Sequence, residues 1–146
     1  MSATADHAEE RTNPAARLGF QPGQVVQELG YDDDTEQDLR AAIEELTGTE
    51  LVDEDYDDVA DAVVLWFRED DGDLTDALVD ATTMIDAGAP IWLLTPKTGR
   101  DGYVEASEIG EAASTAGLAQ TSSVNAGKDW AGSRLVTPKA ARSGKR

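Results

Sequence analysis

The sequence predicts an α/β domain on a mostly parallel sheet of five to six strands, with helices on both faces and a C-terminal antiparallel hairpin. Three observations lead there. Ala62-Val63-Val64-Leu65-Trp66-Phe67 and Ile91-Trp92-Leu93-Leu94 are continuous apolar runs, the pattern of strands buried on both faces. Between them Asp73–Ile85 places Leu74, Ala77, Leu78, Ala81, Met84 and Ile85 three and four apart, on one helical stripe. Asp61–Lys97 also has the length, roughly 30 residues or somewhat more, of a strand–helix–strand unit with a right-handed crossover.

Taken in order, residues 1–16 hold few large apolar side chains and are expected to be a disordered tail. A single domain follows over residues 17–139. Leu18 and Phe20 are its first anchors, in a turn leading to a strand over Gln24–Leu29. The loop Gly30–Asp34 comes next. Thr35 is expected to cap a helix whose stripe is Leu39, Ala42, Ile43 and Leu46, with Asp38 completing a capping-box variant and Gly48 as its stop. Glu50-Leu51-Val52 reads as a short second strand. In the central unit, Asp73 caps the helix, Gly88 stops it, and Pro90 opens the next strand, where a missing N–H does least harm.

Past Thr95-Pro96-Lys97-Thr98-Gly99-Arg100, Val104–Ala116 reads as a helix burying Ile109, Ala112, Ala113 and Ala116, closed by Gly117. Gln120–Asn125 and Ser133–Thr137 are the final strands. Their short connector, Ala126–Gly132, requires an antiparallel hairpin. Residues 140–146 form a basic tail expected to be disordered.

The 146 residues fit one core, and there is no cysteine for a disulfide or a thiolate metal site. The polar N-terminus and the lack of any long apolar run predict a cytoplasmic protein with no membrane contact. Net charge is −18, unevenly spread: residues 28–86 carry 22 Asp/Glu against two Arg. Such a field repels nucleic acid and favours a basic protein partner. Plain solvation of the surface is the favoured alternative, because charge runs usually mark solvated faces.

The order of elements is similar to that of a class I S-adenosylmethionine-dependent methyltransferase with pieces missing, a Rossmann-like sheet whose last strand inserts antiparallel. Leu18–Tyr31, Trp66-Phe67-Arg68, Leu94–Gly99 and Asp129–Val136 also resemble an uncharacterised family of small acidic actinobacterial proteins, over nearly all of residues 17–139. The methyltransferase resemblance implies a glycine-rich loop after the first strand for close backbone approach to the cofactor. Here that loop is Glu28-Leu29-Gly30-Tyr31-Asp32-Asp33-Asp34, with one glycine and three aspartates that oppose an anionic group. Asp53 sits where the resemblance implies a ribose-binding acid, but within a run of acids. No cofactor is expected.

The single histidine, His7, lies in the tail, which removes a histidine-based triad. Glu69-Asp70-Asp71-Gly72-Asp73 fails as a calcium loop, since Gly72 at the sixth position puts Phe67 at the first. Thr95–Gly99 lacks the glycines of a phosphate loop. What remains is a cationic cluster. Arg68 and Lys97 are expected at the carboxyl ends of adjacent strands, where open α/β sheets bind ligands. Thr98 and Arg100 lie beside them, and Lys128, Trp130 and Arg134 come from the hairpin.

An exposed aromatic among those bases suits a small anion or an acidic or aromatic surface. The plainer account is that the bases offset neighbouring carboxylates and Trp130 is packed. The functional expectation is a non-catalytic binding or regulatory protein acting through protein contacts. Its rival is a degenerate enzyme, or a sensor of an anionic or nucleoside-type ligand, near Gly30, Asp53, Arg68 and Lys97. A third reading is an acidic face that imitates nucleic acid.

Overall fold

The two apolar runs pair as parallel neighbours, with Val63 opposite Ile91, Val64 opposite Trp92 and Leu65 opposite Leu93. This is seen in the computed structural model, which describes residues 18–86 and 88–138. The expected tails at 1–16 and 140–146 fall outside the described residues. The elements are β1 (Val26–Leu29), α1 (Gln37–Thr47), β2 (Ala62–Trp66), a 3-10 turn (Glu69–Asp71), α2 (Leu74–Thr82), β3 (Ile91–Pro96), α3 (Ala106–Thr115), β4 (Ala119–Asn125) and β5 (Trp130–Val136).

The strand order is β1-β2-β3-β5-β4. The sheet is mixed rather than mostly parallel: β1–β2 and β2–β3 are parallel, whereas β3–β5 and β5–β4 are antiparallel. The reason lies in the hairpin. A connector of only Ala126–Asp129 reverses the chain, and β5 inserts against β3 instead of at the edge. The expected strand at Glu50–Val52 shrinks to one bridge, Gln27 to Val52.

The sheet buries both faces. On one, Val26, Val64, Trp66, Trp92, Leu94 and Trp130 pack with Leu39, Ala42 and Ile43 of α1 and with the anchors Leu18 and Phe20. On the other, Val63, Leu65, Ile91 and Leu93 pack with Leu74, Leu78 and Ala81 of α2 and Ile109, Ala112 and Ala113 of α3. Alternate residues of β2 and β3 thus serve opposite cores, as the strand period of two requires.

Two helix ends differ from expectation. Glu36, not Thr35, occupies the N-cap of α1 and makes no side-chain cap. The Thr35 hydroxyl donates instead to the Asp32 carbonyl at 2.9 Å, closing the preceding turn. In α2 the Asp73 cap forms, accepting from the Asp76 N–H. The helix then stops at Thr82, short of Ile85. The hydroxyls of Thr82 and Thr83 donate back to the Val79 and Asp80 carbonyls, both at 2.6 Å, a bond that competes with helical geometry. Ile85 leaves the helix to bridge Ala60.

Candidate functional site

The carboxyl ends of β1, β2 and β3 converge on one side chain, Arg68. Its Nε and Nη2 grip the two oxygens of Asp34, and its Nη1 donates to the Gly30 carbonyl at 2.8 Å and to Asp71 Oδ2 at 3.1 Å. The guanidinium lies over the Trp130 ring, 5.2 Å from its centroid, in cation–π range. Trp130 Nε1 donates to the Asp34 carbonyl at 2.9 Å, and the ring meets Trp66 edge-on with centroids 4.9 Å apart. The loop after β3 closes from the other side, where Gly102 touches the Arg68 stem too closely to admit a Cβ. The hydrogen bond from Arg68, assisted by its charge, holds the Asp34 carboxyl below the usual aspartate range against a smaller opposing effect of burial. The same bond raises the already high pKa of Arg68.

Gly30, the one glycine after β1, serves this packing. Its φ is +79°, and a Cβ would lie 2.2 Å from the Trp66 carbonyl oxygen, so no other residue fits. The close backbone approach that the methyltransferase resemblance implies for a cofactor is here made to the end of β2.

Two residues before Gly30, Glu28 of β1 points into the core under α1. Its carboxylate accepts Arg40 Nε at 2.6 Å, Arg40 Nη2 at 2.9 Å and Trp66 Nε1 at 2.8 Å. The hydrogen bond it donates to Glu28 raises the Arg40 pKa, and Arg40 in turn stacks over Tyr31, 4.3 Å from the ring centroid. Glu28 and Arg40 were not among the expected site residues. The signal was nonetheless there: Glu28 shares the face of Val26 on a strand, and Arg40 adjoins the apolar stripe of α1.

Beside this network opens a cleft of about 360 Å3 whose walls include Tyr31, Leu65, Phe67 and Ala77, with Asp32, Arg68 and Asp71 as its charged members. Among the described residues no three His, Cys, Asp or Glu side chains gather as a metal site. No described helix is long and apolar enough to cross a membrane.

The expected cationic cluster assembles only in part. Lys97, Thr98 and Arg100 lie in the loop after β3 and Lys128 in the hairpin connector. The two segments are joined by the Lys97 N–H to the Asp129 carbonyl at 2.9 Å and by an Arg100–Asp129 ion pair at 2.7 Å. Trp130 is not an exposed aromatic. It begins β5 opposite Pro96 and is 2% exposed. Arg134 stands four residues along β5, opposite Trp92, and donates to the Thr121 hydroxyl. That puts it about 13 Å toward the amino end of the sheet at the usual rise per residue. Asp53 lies outside the cleft lining, and its carbonyl accepts from the buried Gln27 side chain.

A mixed sheet with an inserted antiparallel β5 and helices on both faces defines a methyltransferase-like fold. The solved structures that this chain resembles agree. The mitomycin 7-O-methyltransferase MmcR superposes with a TM-score of 0.61 at 12% identity, covering 87% of this chain and 53% of the enzyme. The pyocyanin biosynthetic protein PhzM gives 0.65 at 11% identity, over 86% and 54% of the two chains. A SAM-dependent methyltransferase from Aquifex aeolicus gives 0.54 at 14%, over 88% and 92%. The chain spans about half the length of the first two, and at these identities the likeness is one of fold. By sequence the chain belongs to the DUF3052 family, a protein family of unknown function whose model matches residues 15–139. Uncharacterized proteins of Mycobacterium tuberculosis and Mycobacterium bovis are 56% identical over 142 residues, covering 97% of this chain and 87% of theirs.

Proposed function

We propose that this chain is a non-catalytic cytosolic binding protein that uses a methyltransferase-like sheet as a scaffold and engages a basic protein partner. The observation that carries the reading is the use of its cations. The two arginines among the 22 acids of residues 28–86 are both turned inward, Arg40 onto Glu28 and Arg68 onto Asp34 and Asp71. Asp32, Asp33, Glu69 and Asp70, exposed at the strand carboxyl ends, take part in none of the ion pairs formed among the described residues.

The loop after β1 argues against a methyl donor. Gly30 has its backbone against Trp66, and Arg68 fills the strand ends. The close backbone approach that a methyl donor needs is thus already taken by the end of β2. A partner held by long-range charge releases as the Debye length shrinks. The reading is tested by co-purification at ~50 mM and ~500 mM salt, where a basic protein is recovered only from the first. Recovery of no basic protein at either salt contradicts it.

The cleft supports a second reading, a sensor of a nucleoside-type ligand. Its position between the ends of β1 and β2, with Tyr31 and Phe67 as aromatic walls, suits a flat ring. A thermal-shift screen with S-adenosylmethionine, adenosine and nucleotides separates the two. Stabilisation that rises with concentration of any one of them favours the sensor.

A further inference from the structure

We infer that the corner formed by the Tyr56–Val59 loop and the C-terminal end of α2 is the docking surface for that partner, and that it takes a basic segment presenting one or two aliphatic side chains. The inference rests on the basic-partner reading and adds to it a place and a chemistry. Three large apolar side chains are prominently exposed among the described residues: Tyr31, Val59 and Val79. Tyr31 already carries the Arg40 guanidinium on one ring face and lines the other cleft. The other two belong to one corner. Val59 lines a cleft of about 210 Å3 with Tyr56, Thr83 and Met84, and Val79 stands one helical turn before Thr83. The corner is held firmly, since the Ala60 N–H donates to the Met84 carbonyl at 3.0 Å and Ala60 bridges Ile85.

Carboxylates surround the apolar centre. Asp57 and Asp58 line the cleft, and Asp55, Asp80 and Asp86 are exposed nearby in sequence. None of them enters the ion pairs formed among the described residues. An apolar centre with a rim of one sign of charge is how charged interfaces are built: burial supplies affinity and the rim supplies steering and choice of partner. The rim also decides the occupant. A second copy brings another net charge of −18 to the same field. The chain's own basic C-terminal segment, Lys139–Arg146, has no side chain larger than alanine to fill an apolar cleft apart from its cations. A different, basic chain with aliphatic anchors matches both features.

The test uses the full chain and two labelled synthetic helical peptides of equal positive charge. One carries lysines flanking two leucines a helical turn apart, and in the other both leucines are serine. Fluorescence anisotropy at ~150 mM salt follows binding. The leucine peptide should bind at least about tenfold more tightly, the scale of one buried aliphatic side chain. Val59→Ser with Val79→Ser should remove that advantage, while Glu108→Gln with Glu111→Gln, exposed on α3 beside the start of α2, should keep it. Both substituted valines are exposed, and circular dichroism checks the fold. Equal binding of the two peptides, or an undiminished preference in the valine variant, overturns this surface and leaves the basic-partner reading standing. Absence of binding by either peptide even at ~50 mM salt removes that reading as well.

Discussion

Two corners at the same end of the sheet carry similar residues in opposite states. At the ends of β1 and β2, Arg68 is nearly enclosed, with its side chain 13% exposed and hydrogen bonds to Asp34, Asp71 and the Gly30 carbonyl. At the end of β3, Arg100 also faces an aspartate, Asp129, but both side chains are about half exposed. In the first pair Trp130 covers the guanidinium, which ties three loops together, although Asp34 itself stays about half exposed. The second is screened by water and carries little energy. Burial of the arginine and its extra hydrogen bonds, rather than the presence of an Arg–Asp pair, separate a structural lock from a surface charge.

The sharpest way to break the comparison is inside the lock's supporting core. Arg40→Ala leaves the Glu28 carboxylate, 6% exposed, with only the Trp66 N–H as donor. It should cost about 3 kcal/mol, read from the urea midpoint at an unchanged m-value. Next comes Gly30→Ala, which sets a Cβ against the Trp66 carbonyl and keeps a positive φ. About 2 kcal/mol is expected, together with a shift in tryptophan emission.

Arg68→Ala should cost about 1–2 kcal/mol, because Asp34 is half exposed and recovers water. Its pH dependence has a definite sign. The folded-state pKa of Asp34 is depressed, so the stabilisation by the pair is complete above the ordinary aspartate range and is lost as pH falls through the lowered value. The stability gap between wild type and Asp34→Asn should therefore stay level from neutral pH down to about pH 5 and close below it. A gap that widens in acid contradicts the lock. The smallest effect belongs to Arg100→Ala, within about 0.5 kcal/mol of wild type and reduced further by salt.

The parts of this fold that could be read from the sequence were those with repetition behind them. The runs Ala62–Phe67 and Ile91–Leu94 read as doubly buried strands and the spacing from Leu74 to Ala81 as one face of a helix, and both pack so. Local punctuation was legible where one interaction decided it, as at Asp73 and Gly48. It failed where neighbours competed: Thr35 closed a turn instead of capping, and Thr82 with Thr83 ended α2 early.

The site was harder because a charge count does not say which charges are buried. Trp130 fell in an apparent connector, yet the hairpin turns within Ala126–Asp129 and places it in β5 beneath Arg68. Arg134 was grouped with Lys97 by sequence proximity to the connector, while antiparallel register carries it toward the other end of the sheet. Glu28 and Arg40 looked like two more surface charges until strand alternation and the α1 stripe were combined.

The central claim is that the chain's own Arg68, Asp34 and Trp130 tie the strand ends together and that Gly30 gives its close backbone approach to Trp66 rather than to a methyl donor. Its most direct test is a titration of the wild-type chain with S-adenosylmethionine up to ~1 mM, followed by tryptophan emission and thermal midpoint. The structure predicts no saturable change in either signal. A saturating quench accompanied by a rise in midpoint would contradict it.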